Sequence, residues 1–209
     1  MAMREAIVVT GSRIMAQQEA LGDVKLYRIP EPVTVAAHSQ KQVAMIDRPS
    51  VRVGFVYRQD IFATNAFENQ PAGRFLITRN RTAEGLGLPL PAGRLVLFAQ
   101  GGGRPILIGE GFLADRAVGE DVEVRLDEAP GVRSRLRRLT TGKGVAGDYE
   151  LVVTNDSARP VRYEALIGVD GVRFDSSTRL GRRNGRTLWA PEVPANGTAT
   201  LHYRVASAG

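Results

Sequence analysis

Val122-Glu123-Val124-Arg125-Leu126 alternates apolar and charged residues with a period of two. Successive side chains of a β-strand point to opposite faces, so this run can bury its valines and leucine while its charges stay in water. The same alternation recurs along most of the chain, and glycine, proline or asparagine closes nearly every run. The sequence therefore predicts an all-β protein. Further runs of this kind are Val24-Lys25-Leu26-Tyr27-Arg28-Ile29, Leu95-Val96-Leu97-Phe98 and Val161-Arg162-Tyr163-Glu164-Ala165-Leu166.

The spacing of these runs predicts two packed β-sandwich-like domains. Residues 1–20 form a lead-in segment that we expect to be partly disordered, with Met15 to Leu21 as a short helix. Residues 21–144 form the larger β-domain. Residues 142–147 contain three glycines and little that can pack, so the domain boundary is placed there. Residues 145–209 offer roughly five to seven strands, which is typical of a small immunoglobulin-like sandwich.

Turn residues predict how some of the strands connect. Asn184-Gly185 is a strong hairpin signal, because both residues accept the positive φ angles of a tight turn. Gly101-Gly102-Gly103 is expected to join two strands, Arg94–Ala99 and Pro105–Glu110, into a second hairpin. Pro130-Gly131 is expected to end one strand and begin the next.

Composition excludes several kinds of site. The chain has 209 residues and no cysteine, which excludes disulfides, zinc–thiolate centres and thiol nucleophiles. His38 and His202 lie far apart without flanking ligands, so no metal and no cofactor is predicted. No apolar run approaches the roughly 18 residues of a transmembrane helix. No Gly-x-Ser-x-Gly turn or other catalytic motif occurs, which favours a protein that is not an enzyme.

One strand concentrates positive charge. In Val132–Leu139 the side chains of Arg133, Arg135 and Arg137 point to one face, and Lys143 lies close by in sequence. A row of guanidinium groups suits the sulfate, phosphate or carboxylate groups of a polyanion. The alternative is that the charges protect a sheet edge from aggregation.

A second basic cluster surrounds the Asn184-Gly185 turn. Arg182 and Arg183 precede this turn, and they are further candidates for anion binding. The formal net charge of the chain is +6, but only 6% of its residues are aromatic. Because neither basic cluster has interleaved aromatic residues for base stacking, no nucleic-acid partner is expected.

Several segments follow one another in a familiar order: Leu21–Pro30, Ser39–Ala44, Leu88–Gly93, Ile108–Glu110, Leu151–Asn155, and Leu188-Trp189 followed by Pro194–Gly197. Together they resemble the C-terminal region of the bacterial domain-of-unknown-function family 4139, a group of mucoidy-inhibitor-like conserved hypothetical proteins. The resemblance implies an all-β fold and an exported protein, periplasmic or otherwise associated with the cell envelope. It carries no catalytic residues to transfer, and the start of the chain shows no secretory signal peptide.

Three functions are compatible with these observations. The first is a non-catalytic protein-interaction or scaffolding module of the bacterial cell envelope, which docks its partner through sheet edges or loops. The second is recognition of an acidic polysaccharide through Arg133, Arg135 and Arg137. The third is a carboxylate-dependent hydrolase of envelope material, which would need buried carboxylates with displaced pKa values in a cleft.

Overall fold

The computed structural model describes residues 17–21, 24–28, 38, 44–101, 103–141, 144–168 and 172–207. The chain forms two compact units, Met1–Val51 and Arg52–Gly209. The first unit contains an antiparallel hairpin of β1 (Gln17–Leu21) and β2 (Val24–Arg28). The second unit contains β3 (Gly54–Phe62), β4 (Phe67–Arg79), β5 (Gly93–Gly101), β6 (Arg104–Leu113), β7 (Asp121–Arg138), β8 (Gly147–Asn155), β9 (Val161–Gly168), β10 (Val172–Asp175), β11 (Gly181–Arg183), β12 (Arg186–Trp189), β13 (Glu192–Val193) and β14 (Gly197–Ser207), with one turn of 3₁₀ helix at Thr82–Glu84.

The predicted all-β fold class is confirmed. Ten strands form a main sheet in the order β10-β14-β8-β7-β4-β3-β9-β12-β11, with β13 beside β9. β5 and β6 form a separate two-stranded sheet. Neighbours in the main sheet are antiparallel, except that β3 and β9 run parallel. In the part of the chain that the structure describes, no helix has the length and apolar character to cross a membrane.

The main sheet curls so that distant strands enclose a hydrophobic core. Three strands separate β14 from β3 in the sheet order, yet the Tyr203 hydroxyl of β14 donates a hydrogen bond to the carbonyl oxygen of Ala63, which follows β3. Tyr163 of β9 is fully buried in the same core. The strand pattern predicts a common face for Leu201, Tyr203 and Val205, and all three side chains are buried there.

The predicted domain boundary at residues 142–147 lies between two neighbouring strands of the main sheet. β7 precedes it and β8 follows it, and Val132–Arg138 pairs antiparallel with Tyr149–Asn155. Residues 145–209 contribute β8, β14 and β10 to one end of the sheet and β9, β12 and β11 to the other. β7, β4 and β3 join these ends, so one hydrogen-bonded sheet contains strands from both predicted domains.

β7 is longer than the sequence pattern predicts. Its 18 residues run through Pro130-Gly131, where a break between two strands was expected. Pairing with β4 is irregular at this point, because Pro71 pairs with Arg133 while Ala72 pairs with Ala129. The β7 residues between those partners form a bulge, and a bulge accommodates a proline that cannot donate to the ladder. The prediction of two strands was therefore wrong.

The β5–β6 hairpin packs on β7 through glycines. A Cβ atom on Gly111 would collide with the carbonyl oxygen of Arg125 and come within 2.5 Å of a methyl carbon of Val124. A Cβ atom on Gly109 would come within 2.8 Å of the Arg74 guanidinium. The absence of a side chain at Gly111 therefore lets β6 lie directly on β7, and its absence at Gly109 leaves room for Arg74 of β4.

The local predictions have mixed outcomes. The Asn184-Gly185 hairpin is confirmed, with φ angles of 50° and 78° between β11 and β12. The β5–β6 hairpin is also confirmed, and Gly103 in its turn has a φ of 79°. The helix predicted for Met15 to Leu21 is wrong over residues 17–21, because these residues pair with β2 as strand β1. Residues 1–16, and with them most of the predicted lead-in, lie outside the described residues.

Candidate functional site: a free strand edge and a buried ion-pair cluster

The two end strands of the main sheet are short and charged. β10 has four residues, among them Arg173 and Asp175. β11 has three residues, among them Arg182 and Arg183. Short edges that carry charged side chains deter other strands from adding to a sheet. Both ends of the main sheet are therefore protected against pairing.

β5 is an edge strand of a different kind. Among the described residues it pairs only with β6, and no other described strand is hydrogen-bonded to its other side. It is nine residues long, contains no proline, and carries an uninterrupted apolar run, Leu95–Ala99. Its single charged residue, Arg94, forms an ion pair with Glu110 on β6. The β5 edge therefore lacks the features that protect β10 and β11.

Apolar side chains are also exposed on the outer face of the β5–β6 hairpin. Val96 and Phe98 of β5 are 39% and 58% exposed, and Leu107 and Phe112 of β6 are 52% and 67% exposed. The pairing register places Phe98 directly beside Leu107, so the two side chains share a face. Clusters of large exposed apolar side chains are typical of interaction surfaces.

The alternation predicted for the arginine-rich part of β7 is confirmed. Ser134 and Leu136 are buried, while Arg133, Arg135 and Arg137 lie on the opposite face. All three arginines have polar or charged partners, mostly on neighbouring strands. Arg137 pairs with Glu68 at 2.6 Å, Arg135 lies 3.6 Å from Glu150, and Arg133 donates to Asn69 Oδ1 and to the carbonyl oxygen of Pro130. These contacts partly neutralise the row, which favours a charge-balanced sheet surface over a polyanion site.

The other candidate anion-binding residues do not join this row. Arg182 donates a long hydrogen bond of 3.5 Å to the carbonyl oxygen of Gly185, within its own turn. Arg183 contacts Glu123, in the N-terminal half of β7, whereas the arginine row lies in the C-terminal half. Lys143 lies outside the described residues.

A cluster of two arginines and two glutamates contains the most buried charges of the described residues. Arg58 on β3 and Glu164 on β9 are 8% and 7% exposed, and Arg58 Nη2 lies 2.7 Å from Glu164 Oε2. Glu123 on β7 accepts hydrogen bonds from Arg58 and Arg183. Arg183 also lies 3.1 Å from Glu164. The Arg58 guanidinium packs over the ring of Phe75, 4.5 Å from its centroid.

The ion-pair cluster requires a curved sheet. β7 and β11 are five positions apart in the sheet order, which in a flat sheet corresponds to about 24 Å. The ion pair between Glu123 and Arg183 therefore forms only because the sheet curls. Sequence reasoning missed this cluster, since the two residues are 60 positions apart. The signal available in the sequence was Arg58 and Glu164, each a charged residue inside a largely apolar strand.

The chemistry of the cluster is that of permanent ion pairs. Hydrogen bonding from Arg58, together with the positive charges of Arg58 and Arg183, lowers the pKa of Glu123, although partial burial acts in the opposite direction. The Glu123 carboxylate therefore stays ionised at neutral pH. A carboxyl that serves as a general acid needs a raised pKa instead.

A groove of about 460 Å³ opens beside the cluster. Its size is within the range of small-molecule sites. Four arginines and four acidic residues line it, so the formal charges balance and the groove does not select for an anion. These residues are Arg52, Arg79, Arg162, Arg183, Glu84, Asp121, Glu123 and Glu164.

The two histidines lie apart from these features. His38 is exposed and has a φ of 60°, in a turn. His202 on β14 is 63% exposed and lies 3.9 Å from Glu150. Within the described ranges, no three histidine, aspartate or glutamate side chains are grouped closely enough to hold a metal ion.

Comparison with known proteins finds no relative of this chain. No protein family, no curated protein and no solved structure matches this chain. The resemblance to family 4139 and the envelope location that it implies therefore stay predictions from the sequence segments.

Proposed function

We propose that this protein is a non-catalytic interaction module that binds an extended protein segment along the free edge of β5. The observation that carries the proposal is the contrast between sheet edges. β5 has nine residues and an uncharged centre, whereas the ends of the main sheet have four and three residues with charges in each. Main-chain groups along such an edge form hydrogen bonds with an added strand, and alternate side chains provide specificity.

The chemistry of β5 specifies the chemistry of its partner. Val96 and Phe98 favour a strand with apolar side chains at alternate positions. The only charge on the strand, Arg94, is engaged by Glu110, so the edge offers little attraction to a polyanion. In the envelope setting implied by the sequence resemblance, such an edge suits a scaffolding role.

The two other functions have weaker support. Recognition of an acidic polysaccharide would rely on Arg133, Arg135 and Arg137, whose guanidinium groups already have polar or charged partners in the sheet. A carboxylate-dependent hydrolase would rely on Glu123 and Glu164, and arginines hold both carboxylates. The β5 edge, in contrast, presents main-chain groups that no other described strand pairs, beside exposed apolar side chains.

Photo-cross-linking tests the proposal. The chain has no cysteine, so one introduced cysteine carries a photoreactive label at a chosen place. We place the label at Gln100→Cys on β5 and, as a matched control, at Phe62→Cys, where the native side chain is 59% exposed. After irradiation in an extract of the source cells, mass spectrometry identifies the linked peptides.

The expected product is a link from position 100 to an extended protein segment with alternating apolar residues. Adding Leu97→Lys, which places a charge at the centre of the edge, should remove this product. Equal reaction from positions 62 and 100, or products that contain glycan and no protein, would contradict the proposal.

A further inference from the structure

We infer that the strand added to β5 is β5 of a second copy of this chain, which gives a symmetric dimer. The inference rests on the proposed use of the β5 edge. Two identical edges pair antiparallel about a two-fold axis, and each copy presents the same surface to the other. The two hairpins then form one four-stranded sheet in which neither copy of β5 remains an edge.

The sequence of β5 is compatible with itself in one central register. Leu97 is the middle residue of the strand, so a two-fold axis at Leu97 pairs all nine residues of both copies. Residues on the same face then lie opposite each other, as an antiparallel ladder requires. No charged residue faces a like charge. The facing pairs are Val96 with Phe98, Leu95 with Ala99 and Arg94 with Gln100 of the second copy.

A shifted register fits less well. An axis at Val96 would leave the last two residues of each strand unpaired and would set Arg94 against Phe98 of the second copy. The axis at Leu97 instead places Phe98, which is 58% exposed, beside Val96, which is 39% exposed. Cross-strand contact between an aromatic and a β-branched side chain stabilises a sheet.

Analytical ultracentrifugation of charge variants at position 97 tests the dimer. The unaltered chain should form dimers as its concentration rises. Leu97→Lys places two lysines face to face and should raise the dimer dissociation constant by about tenfold or more. Leu97→Glu should do the same, and an equimolar mixture of the two variants should form heterodimers again. This rescue also shows that the hairpin still folds, and Phe62→Lys serves as a control that leaves dimerisation unchanged.

Paired cysteines test the register. Directly opposed Cβ atoms in an antiparallel pair are about 4.5–5.5 Å apart, whereas diagonal ones are about 7–8 Å apart. A mixture of Val96→Cys and Phe98→Cys chains should therefore form an intermolecular disulfide faster than either variant alone.

The outcomes separate this inference from the proposed function. A chain that stays monomeric at every concentration overturns the dimer, and a link from Gln100→Cys to a different protein would then leave the proposed function standing. A dimer that Leu97→Lys does not weaken has its interface elsewhere and also overturns the inference. If the β5 amides of the monomer resist hydrogen exchange at every concentration, another segment of the same chain covers the edge, and both proposals fail.

Discussion

At the scale of single residues, Arg58 carries a charge in a position where few charges are found. It is 8% exposed, and one of its two carboxylate partners, Glu164, is itself 7% exposed. A buried ion is tolerated only while its counter-ions and hydrogen bonds are present, because removal from water is costly. Arg183 and Glu123 complete the set of partners at the rim of the cluster. The four side chains connect β3, β7, β9 and β11.

We predict that Arg58→Met lowers the free energy of unfolding by about 3–5 kcal/mol at neutral pH, because Glu164 loses its nearest counter-ion while it stays buried. The effect should depend on pH. The pKa of Glu123 in the folded protein lies below its ordinary value of 4.5. The ion pairs of Glu123 therefore stabilise the fold at pH values above 4.5, and this stabilisation is lost as the pH falls through the pKa of the folded protein. Urea unfolding measures the free energy of unfolding of the variant and of the unaltered chain. The difference between these two free energies should be smaller at acidic pH than at neutral pH.

Arg137→Met is the matched control for this prediction. It removes the partner of Glu68 from a pair in which both side chains are more than half exposed. Exposed pairs contribute little to stability, so its unfolding midpoint should stay close to that of the unaltered chain. An Arg58→Met protein as stable as the Arg137→Met protein would contradict the buried-charge interpretation.

Two asparagines show which properties of a residue the local sequence predicts and which it does not. Asn80 and Asn155 are typical of turns by sequence, and both lie at strand ends. Their burial was not predictable, because each side chain also bonds a residue more than 35 positions away. The Asn80 side chain donates to the carbonyl oxygens of Leu88 and Ala117, and the Asn155 side chain donates to those of Arg159 and Pro194.

At the scale of elements, the position of a strand was predictable where its neighbours were not. Alternation with a period of two is a local property, so it located β2, β5 and β9 closely. Pairing depends on residues far away in the chain. No local pattern indicates that β7 lies between β4 and β8, or that β9 runs parallel to β3. The bulge at Pro130 was missed for the same reason. A bulge and a turn look alike in sequence, and only the pairing with β4 tells them apart.

Packing of the β5–β6 hairpin gives a prediction at this scale. Gly111→Ala should destabilise the protein by about 1–3 kcal/mol, because the new methyl group would overlap Arg125 and Val124 of β7. Gly93→Ala, in the same hairpin, is the control, since a Cβ atom there meets nothing within 4 Å. Urea unfolding measures both variants. Equal midpoints for the two would show that β6 does not pack closely on β7.

At the scale of the whole molecule, the candidate sites depended on the order of strands in the sheet. The period of two placed Arg133, Arg135 and Arg137 on one face correctly, but it does not show which residues of β4 and β8 they contact. The free edge of β5 was equally hidden, because the sequence of a strand does not state whether a neighbour pairs with it. Arg182 and Arg183 were grouped by proximity in sequence, whereas the curled sheet brings Arg183 to Glu123. Long-range pairing therefore decided which predicted site residues come together.

The continuity of the main sheet predicts one unfolding transition for residues 52–209, although the sequence predicted two domains. Leu76→Ala on β4 removes a side chain that is 5% exposed and lies outside the core around Tyr163, and it should cost about 2–5 kcal/mol. Trp189, the single tryptophan, reports on that core from β12. If the sheet unfolds as one unit, Leu76→Ala should shift the Trp189 fluorescence transition as far as the circular dichroism transition. A fluorescence transition that keeps its midpoint while circular dichroism shows an earlier step would establish residues 145–209 as an independently folding domain.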